Sequence, residues 1–258
     1  MTPDLSSLAA NVEHELWIVS GDLGVPVARV AIAADGAVFL PSGRLIATAP
    51  SSPREGRSSS DSHRVLLLEP TGTVIDEVVV DAEDAATYLH GHPTESVVLC
   101  DFVMGQDGNL QTAIRDAGGR LQVEEIFRDE DLVTLSFGPL GDRVLFSPYP
   151  SDPERAVVAT WPVPTIDASL DAAILDLEMG FDVSGGHLSD GRILLLAAEM
   201  GPVLADGDLA NAGLVEMIDL EDYAGDGFVE GIAPLGADSF AAVLWDAGQR
   251  TTTVWRLV

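Results

Sequence analysis

Three aromatic residues recur at one position of a repeating pattern, and acidic residues accompany them. Each aromatic lies five residues after the start of an apolar run, although only 6% of the chain is aromatic. Aromatic faces attract cations, and flanking carboxylates add to that attraction, so this set can hold a sugar, a cationic ligand or a basic peptide. The alternative is that the rings fill the packing between repeats. The candidate binding residues are Phe102, Tyr149, Trp245, Asp101, Glu199 and Asp246.

Two short clusters carry residue types that bind metals. His90 and His92 are separated by one residue, and they can share a metal only if a third ligand comes from elsewhere. His92 and His187 both precede a turn, and a repeated role in the turn explains both. The acidic stretch 206–211 resembles a calcium loop, but its donors stop before the closing Glu that such a loop needs. The sequence therefore predicts no bound metal and no cofactor.

Residues suited to catalysis form no recognisable motif. Glycoside hydrolysis needs two carboxylates across a cleft. The candidates for that role are Asp81, Glu83, Asp131 and Asp182, and they match no family motif. The chain has no lysine, which excludes Schiff-base chemistry, and it has no G-x-S-x-G or Walker-type sequence. Cys100 lies in an apolar run and is expected to be a small buried hydrophobic residue. The sequence thus favours no enzyme class.

The charge of the chain limits its partners. The formal net charge is −29, and all 13 basic residues are arginine. Nucleic acid would meet a repulsive field, whereas cations and basic partners would be attracted. An arginine-only set is also typical of a GC-rich genome or of adaptation to high salt. No stretch reaches the roughly 18 apolar residues of a membrane helix, and the N-terminus lacks the features of a signal peptide. We therefore expect a cytoplasmic protein without membrane or nucleic-acid partners.

A repeat positions the candidate residues. Five apolar runs, each entered through a turn, recur at intervals of 47 to 52 residues. Each repeat is predicted to contain four strands, of which the apolar run is the second and is buried on both faces. The fourth strand alternates polar and apolar residues, as half-exposed edge strands do. The runs begin at Leu45, Val97, Val144, Ile193 and Phe240.

Four-stranded repeats of this length are typical of propeller blades. The turn-plus-apolar segments, and the C-terminal Val254-Trp255-Arg256-Leu257 where such repeats often carry a Trp, resemble the WD40-like β-propeller superfamily over nearly the whole chain. The Trp-Asp and Gly-His signatures do not recur, and Trp245-Asp246 ends a second strand instead. The resemblance implies an all-β propeller and carries no function of its own.

The repeats predict one propeller domain over residues 1–258 with five blades, or six if the N-terminal strands form another. Residues 15–20 and 25–30 are predicted to complete the last blade, so that N- and C-terminal strands close the ring. Residues 1–12 are expected to be a flexible N-terminus, and residues 51–62 a mobile loop.

These observations favour a non-catalytic binding module that presents its long loops to a protein or peptide partner, preferably a basic one. Long loops are predicted at 51–62, 101–109, 148–154, 199–212 and 246–250. A carbohydrate-active propeller, either lectin-like or a glycosidase, is one alternative. A propeller that binds a metal or a small molecule is another. The sequence does not define the oligomeric state.

Overall fold

The computed structural model describes residues 7–12, 14–20, 26–51, 62–82, 85–104, 109–128, 132–148, 155–162, 172–176, 184–197, 201–211, 213–214, 228–246 and 249–257. These residues form 22 β-strands in six antiparallel sheets. The all-β prediction is therefore confirmed. No helix in this part of the chain is long and apolar enough to cross a membrane.

Two compact units divide the chain, and the first comprises Pro3–Glu130. It contains one three-stranded sheet and two four-stranded sheets, each with strands in sequential order. The strands are β1 Ser7–Val12, β2 Glu15–Ser20 and β3 Pro26–Val30; β4 Gly36–Phe39, β5 Leu45–Pro50, β6 His63–Leu68 and β7 Val74–Val80; and β8 Ala86–Gly91, β9 Val97–Val103, β10 Asn109–Asp116 and β11 Leu121–Arg128.

The second unit comprises Met1–Thr2 and Asp131–Val258. It contains two four-stranded sheets and a final three-stranded sheet, again in sequential order. The strands are β12 Leu132–Phe137, β13 Arg143–Pro148, β14 Arg155–Thr160 and β15 Ala172–Asp176; β16 Ser184–His187, β17 Ile193–Ala197, β18 Gly201–Ala205 and β19 Gly213–Leu214; and β20 Phe228–Pro234, β21 Ser239–Asp246 and β22 Gln249–Arg256.

One hairpin turn recurs at the entry to the second strand of three sheets. Gly43, Gly141 and Gly191 each have a positive φ between 76° and 92°. In each turn the glycine N–H donates to the carbonyl three residues earlier, at 2.9 to 3.0 Å. Glycine adopts this left-handed conformation without a steric cost, which explains the turn-plus-apolar pattern of the sequence.

Consecutive sheets within each unit pack face to face through apolar second and third strands. In the first unit, Ile46, Val65, Val98 and Phe102 join the sheet that contains β5 to the sheet that contains β9. Further cores join β2 to β5 in the first unit, and β13 to β17 and β17 to β21 in the second. Burial on both faces is what the continuous apolar runs predict.

The structure differs from the expected strand order in three places. The third strand of the fourth complete repeat is β18, which lies inside the predicted loop 199–212, and Leu214 belongs to the fourth strand β19. Strand β1 occupies residues predicted to be a flexible N-terminus. The described N-terminal strands β1, β2 and β3 pair with one another in a three-stranded sheet of their own. Closure of a ring and the number of blades stay predictions.

Candidate functional site

The six candidate binding residues fall in different environments. Asp101 and Phe102 lie in β9, while Trp245 and Asp246 are the last two residues of β21. Tyr149 and Glu199 lie outside the described residues. All four described residues are thus at or near the ends of second strands, as the repeat predicts.

Phe102 has no exposed surface and packs in the core between two sheets. Its ring lies edge-on to His63, with centroids 5.6 Å apart. Trp245 is half-buried, and the Arg250 guanidinium carbon lies 5.5 Å from the centre of its ring. Phe102 therefore acts in packing, whereas Trp245 presents a ring face to a cation.

Asp101 is a buried carboxylate that accepts a hydrogen bond from one side chain of its sheet and lies near a second. It has no exposed surface, and Gln111 lies opposite it on the neighbouring strand β10. The Gln111 amide donates to Asp101 Oδ1 at 2.5 Å, and His90 Nε2 lies 3.9 Å from Oδ2. A buried carboxylate needs a donor such as the Gln111 amide because its desolvation is costly. We call Asp101, Gln111 and His90 the Asp101 cluster.

A second polar group, the His63 cluster, comprises His63, Asp35 and the carbonyl of Ala82. His63 is 2% exposed, and its Nδ1 lies 3.1 Å from the Ala82 carbonyl oxygen. A carbonyl can only accept, so Nδ1 carries the proton and donates it. Nε2 lies 3.5 Å from Asp35 Oδ2. Burial raises the pKa of Asp35, and the nearby His63 opposes that shift.

Sequence reasoning missed Asp35, His63 and Gln111. Asp35 precedes β4, Ala82 follows β7 and His63 begins β6, so three separate segments build the His63 cluster and no fixed spacing marks it. Gln111 carried a usable signal, because it is a polar residue on a largely buried strand whose partner strand holds Asp101. Such a pair of positions predicts a mutually satisfied polar contact.

A serine–histidine contact in the second unit joins β12 to β16. Ser136 Oγ accepts the His187 backbone N–H at 2.9 Å and lies 2.8 Å from His187 Nδ1. Ser184 Oγ accepts the Ile232 N–H at 2.9 Å and joins β16 to β20 in the same way. The repetition makes both serines links between successive sheets. Burial, followed by the Arg143 charge, lowers the pKa of His187 to about 4, so the ring is neutral at pH 7 and is a weak base.

The remaining candidates have structural contacts. His92 Nδ1 accepts the N–H groups of Thr94 and Glu95, at 3.2 and 2.8 Å, which is the turn role that the sequence predicts. Burial raises the pKa of the Cys100 thiol, which keeps it protonated. In the described part of the chain, no three His, Cys, Asp or Glu side chains are grouped to hold a metal.

The acidic stretch 206–211 forms the turn between β18 and β19. Asn211 Nδ2 donates to Asp206 Oδ2 at 2.7 Å, and Asp208 Oδ1 accepts the Ala210 N–H at 3.1 Å. These contacts stabilise the turn itself.

Among the paired-carboxylate candidates, Asp81 follows β7, whereas Glu83, Asp131 and Asp182 lie outside the described residues.

Comparison with known proteins identifies the fold as a β-propeller. No protein-family model matches the chain. No curated protein matches it either. Among solved structures, it is similar to the β-propeller domain of the Trilobed protease from Pyrococcus furiosus, described as having an open velcro topology. That match has 13% identity and a TM-score of 0.59, and it covers 99% of this chain and 79% of the other.

The chain is also similar to two structures of Pyrococcus horikoshii acylaminoacyl peptidase. The uncomplexed form matches at 12% identity with a TM-score of 0.66, over 100% of this chain and 43% of the other. The orthorhombic form matches at 12% identity with a TM-score of 0.62, over 98% of this chain and 44% of the other. This chain thus spans less than half of those peptidase chains. The propeller prediction is confirmed at the level of the fold, and the assignment to the WD40-like superfamily stays a prediction.

The comparisons correct the predicted function. The sequence favoured a non-catalytic binding module, with carbohydrate-active and small-molecule-binding propellers as alternatives. The similar structures are instead a protease propeller and two structures of one acylaminoacyl peptidase. The prediction was wrong because it rested on a fold that hosts many functions. Two of the residues that carried it, Asp101 and Phe102, are buried in strand β9 rather than presented on a loop.

Proposed function

We propose that this chain is a peptidase-associated propeller, which acts with a peptidase catalytic domain on peptide substrates. The observation that carries the proposal is the similarity of 98% or more of the chain to parts of three peptidase structures. More than half of each acylaminoacyl peptidase chain lies outside the matched part. The catalytic domain in this proposal is therefore a separate domain, either in the same polypeptide or in a partner.

The charge of the chain suggests which peptides it favours. A net charge of −29 attracts cationic peptides and repels acidic ones, and this steering acts within about 8 Å at physiological ionic strength. Peptides with a free amino terminus or basic side chains gain from this field. The propeller's contribution in this proposal is to raise the local concentration of such peptides near the catalytic domain.

The test is whether peptide hydrolysis co-purifies with the chain. The tagged protein is purified from its source under mild conditions and incubated with basic, neutral and acidic short peptides, each N-acetylated or free. Mass spectrometry measures the products. We expect hydrolysis to co-elute with the chain, with basic peptides cleaved faster than acidic ones at low salt. That preference should shrink as salt rises.

A parallel purification from an untagged source controls for contaminating peptidases. The proposal fails if the preparation contains the folded chain but its hydrolysis does not exceed that of the untagged control. It also fails if the hydrolysis separates completely from the chain on gel filtration under the mild buffer used for purification.

A further inference from the structure

The His63 cluster brings two electron-pair donors to the same space in the first unit. The Ala82 carbonyl oxygen lies 3.1 Å from His63 Nδ1, so the proton of a neutral imidazole is on that nitrogen. The lone pair of the ring is then on Nε2. Nε2 lies 3.5 Å from Asp35 Oδ2. A lone pair and a carboxylate oxygen this close together favour a cation that both can contact.

The distance between the two atoms fits two ligands of one metal ion better than it fits a direct hydrogen bond. A charge-assisted hydrogen bond between an imidazolium and a carboxylate has an N···O distance of about 2.7–2.9 Å. Nitrogen and oxygen ligands of a tetrahedral Zn²⁺ lie about 2.0–2.2 Å from the metal, which places them about 3.4 Å from each other. His63 Nε2 and Asp35 Oδ2, at 3.5 Å, therefore have the spacing of two ligands that share a zinc ion.

The surroundings of His63 are those of a metal-binding imidazole. Such a ring commonly donates its second N–H to a backbone carbonyl, which fixes its tautomer and its orientation, and Ala82 supplies that carbonyl here. The Phe102 ring packs edge-on against the imidazole, with centroids 5.6 Å apart. The side chain of Asp35 is 35% exposed, so water can reach the space beside it. The nitrogen ligand is therefore held rigidly, and the oxygen ligand lies beside the solvent.

We propose that His63 and Asp35 bind a Zn²⁺ ion, with water at its remaining coordination positions. Imidazole nitrogen and carboxylate oxygen are both zinc ligands, and a net charge of −29 attracts divalent cations to the chain. Structural zinc sites have four protein ligands, so an ion with two exchanges with the solvent. The bound ion links the segment before β4 to the start of β6, and it stabilises the fold by mass action. The inference does not depend on the peptidase proposal.

Titration of the intact chain with zinc tests the proposal. Chelator-treated protein receives ZnCl₂ in the presence of excess Mg²⁺, which occupies weak sites made of carboxylates alone. Isothermal calorimetry measures binding, and differential scanning calorimetry measures the melting temperature. We expect one saturable zinc site and a melting temperature that rises over the same zinc concentrations. His63→Gln and Asp35→Asn should each weaken the zinc affinity about tenfold or more, because each removes one of two protein ligands.

Matched variants exclude other zinc ligands. His14 is exposed, and His14→Gln should leave the zinc affinity unchanged. Cys100→Ala should also retain it, because burial raises the pKa of that thiol and a protonated thiol is a poor ligand. Circular dichroism checks that each variant is folded. Asp35→Asn keeps the test decisive if the buried His63 tolerates no substitution, since the side chain of Asp35 is partly exposed.

A spectroscopic measurement locates the ion independently of stability. Co²⁺ in place of Zn²⁺ is paramagnetic, so it should broaden the NMR signal of the His63 ring, the signal that is missing from the spectrum of His63→Gln. Three results would overturn the proposal. They are no saturable zinc binding in the presence of Mg²⁺, an unchanged zinc affinity in Asp35→Asn, and broadening by Co²⁺ of another histidine while the His63 signal stays sharp.

Discussion

Asp101 has no exposed surface, and its Oδ1 accepts a hydrogen bond from the Gln111 amide. Removing that donor leaves a buried carboxylate with poorer solvation. We therefore expect Gln111→Leu to lower the free energy of unfolding by about 2 kcal/mol. Urea denaturation followed by circular dichroism measures this loss.

Gln122 provides the matched control, because it is an exposed glutamine on the adjacent strand β11. Gln122→Leu should change the free energy of unfolding by no more than about 0.5 kcal/mol. Equal losses in both variants would show that the Asp101–Gln111 hydrogen bond contributes nothing specific to stability.

His187 makes stability depend on pH. Its pKa in the folded state is about 4, against an ordinary value of 6.5. The unfolded chain therefore takes up a proton first as the pH falls, so stability is lost between pH 6.5 and about 4. The full shift corresponds to a loss on the order of 3 kcal/mol. His187→Asn should flatten this part of the pH profile of the free energy of unfolding.

The exposed His14 is the control for this profile. His14→Asn should retain the same loss between pH 6.5 and 4 as the original chain, because both proteins keep the buried ring. Acidic residues titrate in the same range, but they do so in all three proteins. A His187→Asn profile that overlays the original one would show that His187 does not cause the loss of stability between pH 6.5 and 4.

At the scale of elements, two glycines of the sheet β16–β19 differ in how much space a side chain would have. Gly191 has φ 92° in a turn, and a Cβ there meets nothing within 4 Å. Gly191→Ala should therefore lower the free energy of unfolding by only the conformational strain of a left-handed alanine, about 1 kcal/mol. A Cβ on Gly185 would overlap the Leu194 carbonyl oxygen across the strand pair. Gly185→Ala should lower the free energy of unfolding several times more, as measured by urea denaturation. Similar losses in both variants would argue against the close approach of Gly185 to Leu194.

The strands were predictable to the extent that burial shaped their sequence. All five apolar runs are second strands, because burial on both faces demands continuous apolar residues. Strand β18, Gly201–Ala205, lies inside the predicted loop 199–212, and its Gly-Pro start is a dipeptide typical of turns. Asp101 was found as a candidate, but the His63 cluster was not, since its parts come from segments far apart in sequence. Contacts between distant segments leave no local pattern.

At the scale of the whole molecule, the net charge of −29 opposes folding. Bringing these charges together in a compact state costs free energy, and salt screens that repulsion. We expect the melting temperature to rise by several degrees between low and moderate NaCl concentrations. Exposed ion pairs lose strength in salt, but each is worth little. Differential scanning calorimetry measures the change, and KCl should have the same effect if screening is the cause.

Substitutions at two glutamates distinguish the general repulsion between surface acids from the specific attraction of one acid to an arginine. Glu77 receives two hydrogen bonds of 2.7 Å from Arg64, and that guanidinium lowers its pKa. Glu124 is an exposed acid on β11. Glu124→Gln should raise the melting temperature at low salt by about a degree, because it removes one of many like charges, and the gain should fade as salt rises. Glu77→Gln removes the same charge together with an attractive contact, so its gain should be smaller or absent. Equal gains would show that the Arg64 pair adds nothing, and no gain at Glu124 would show that repulsion between surface acids does not limit stability.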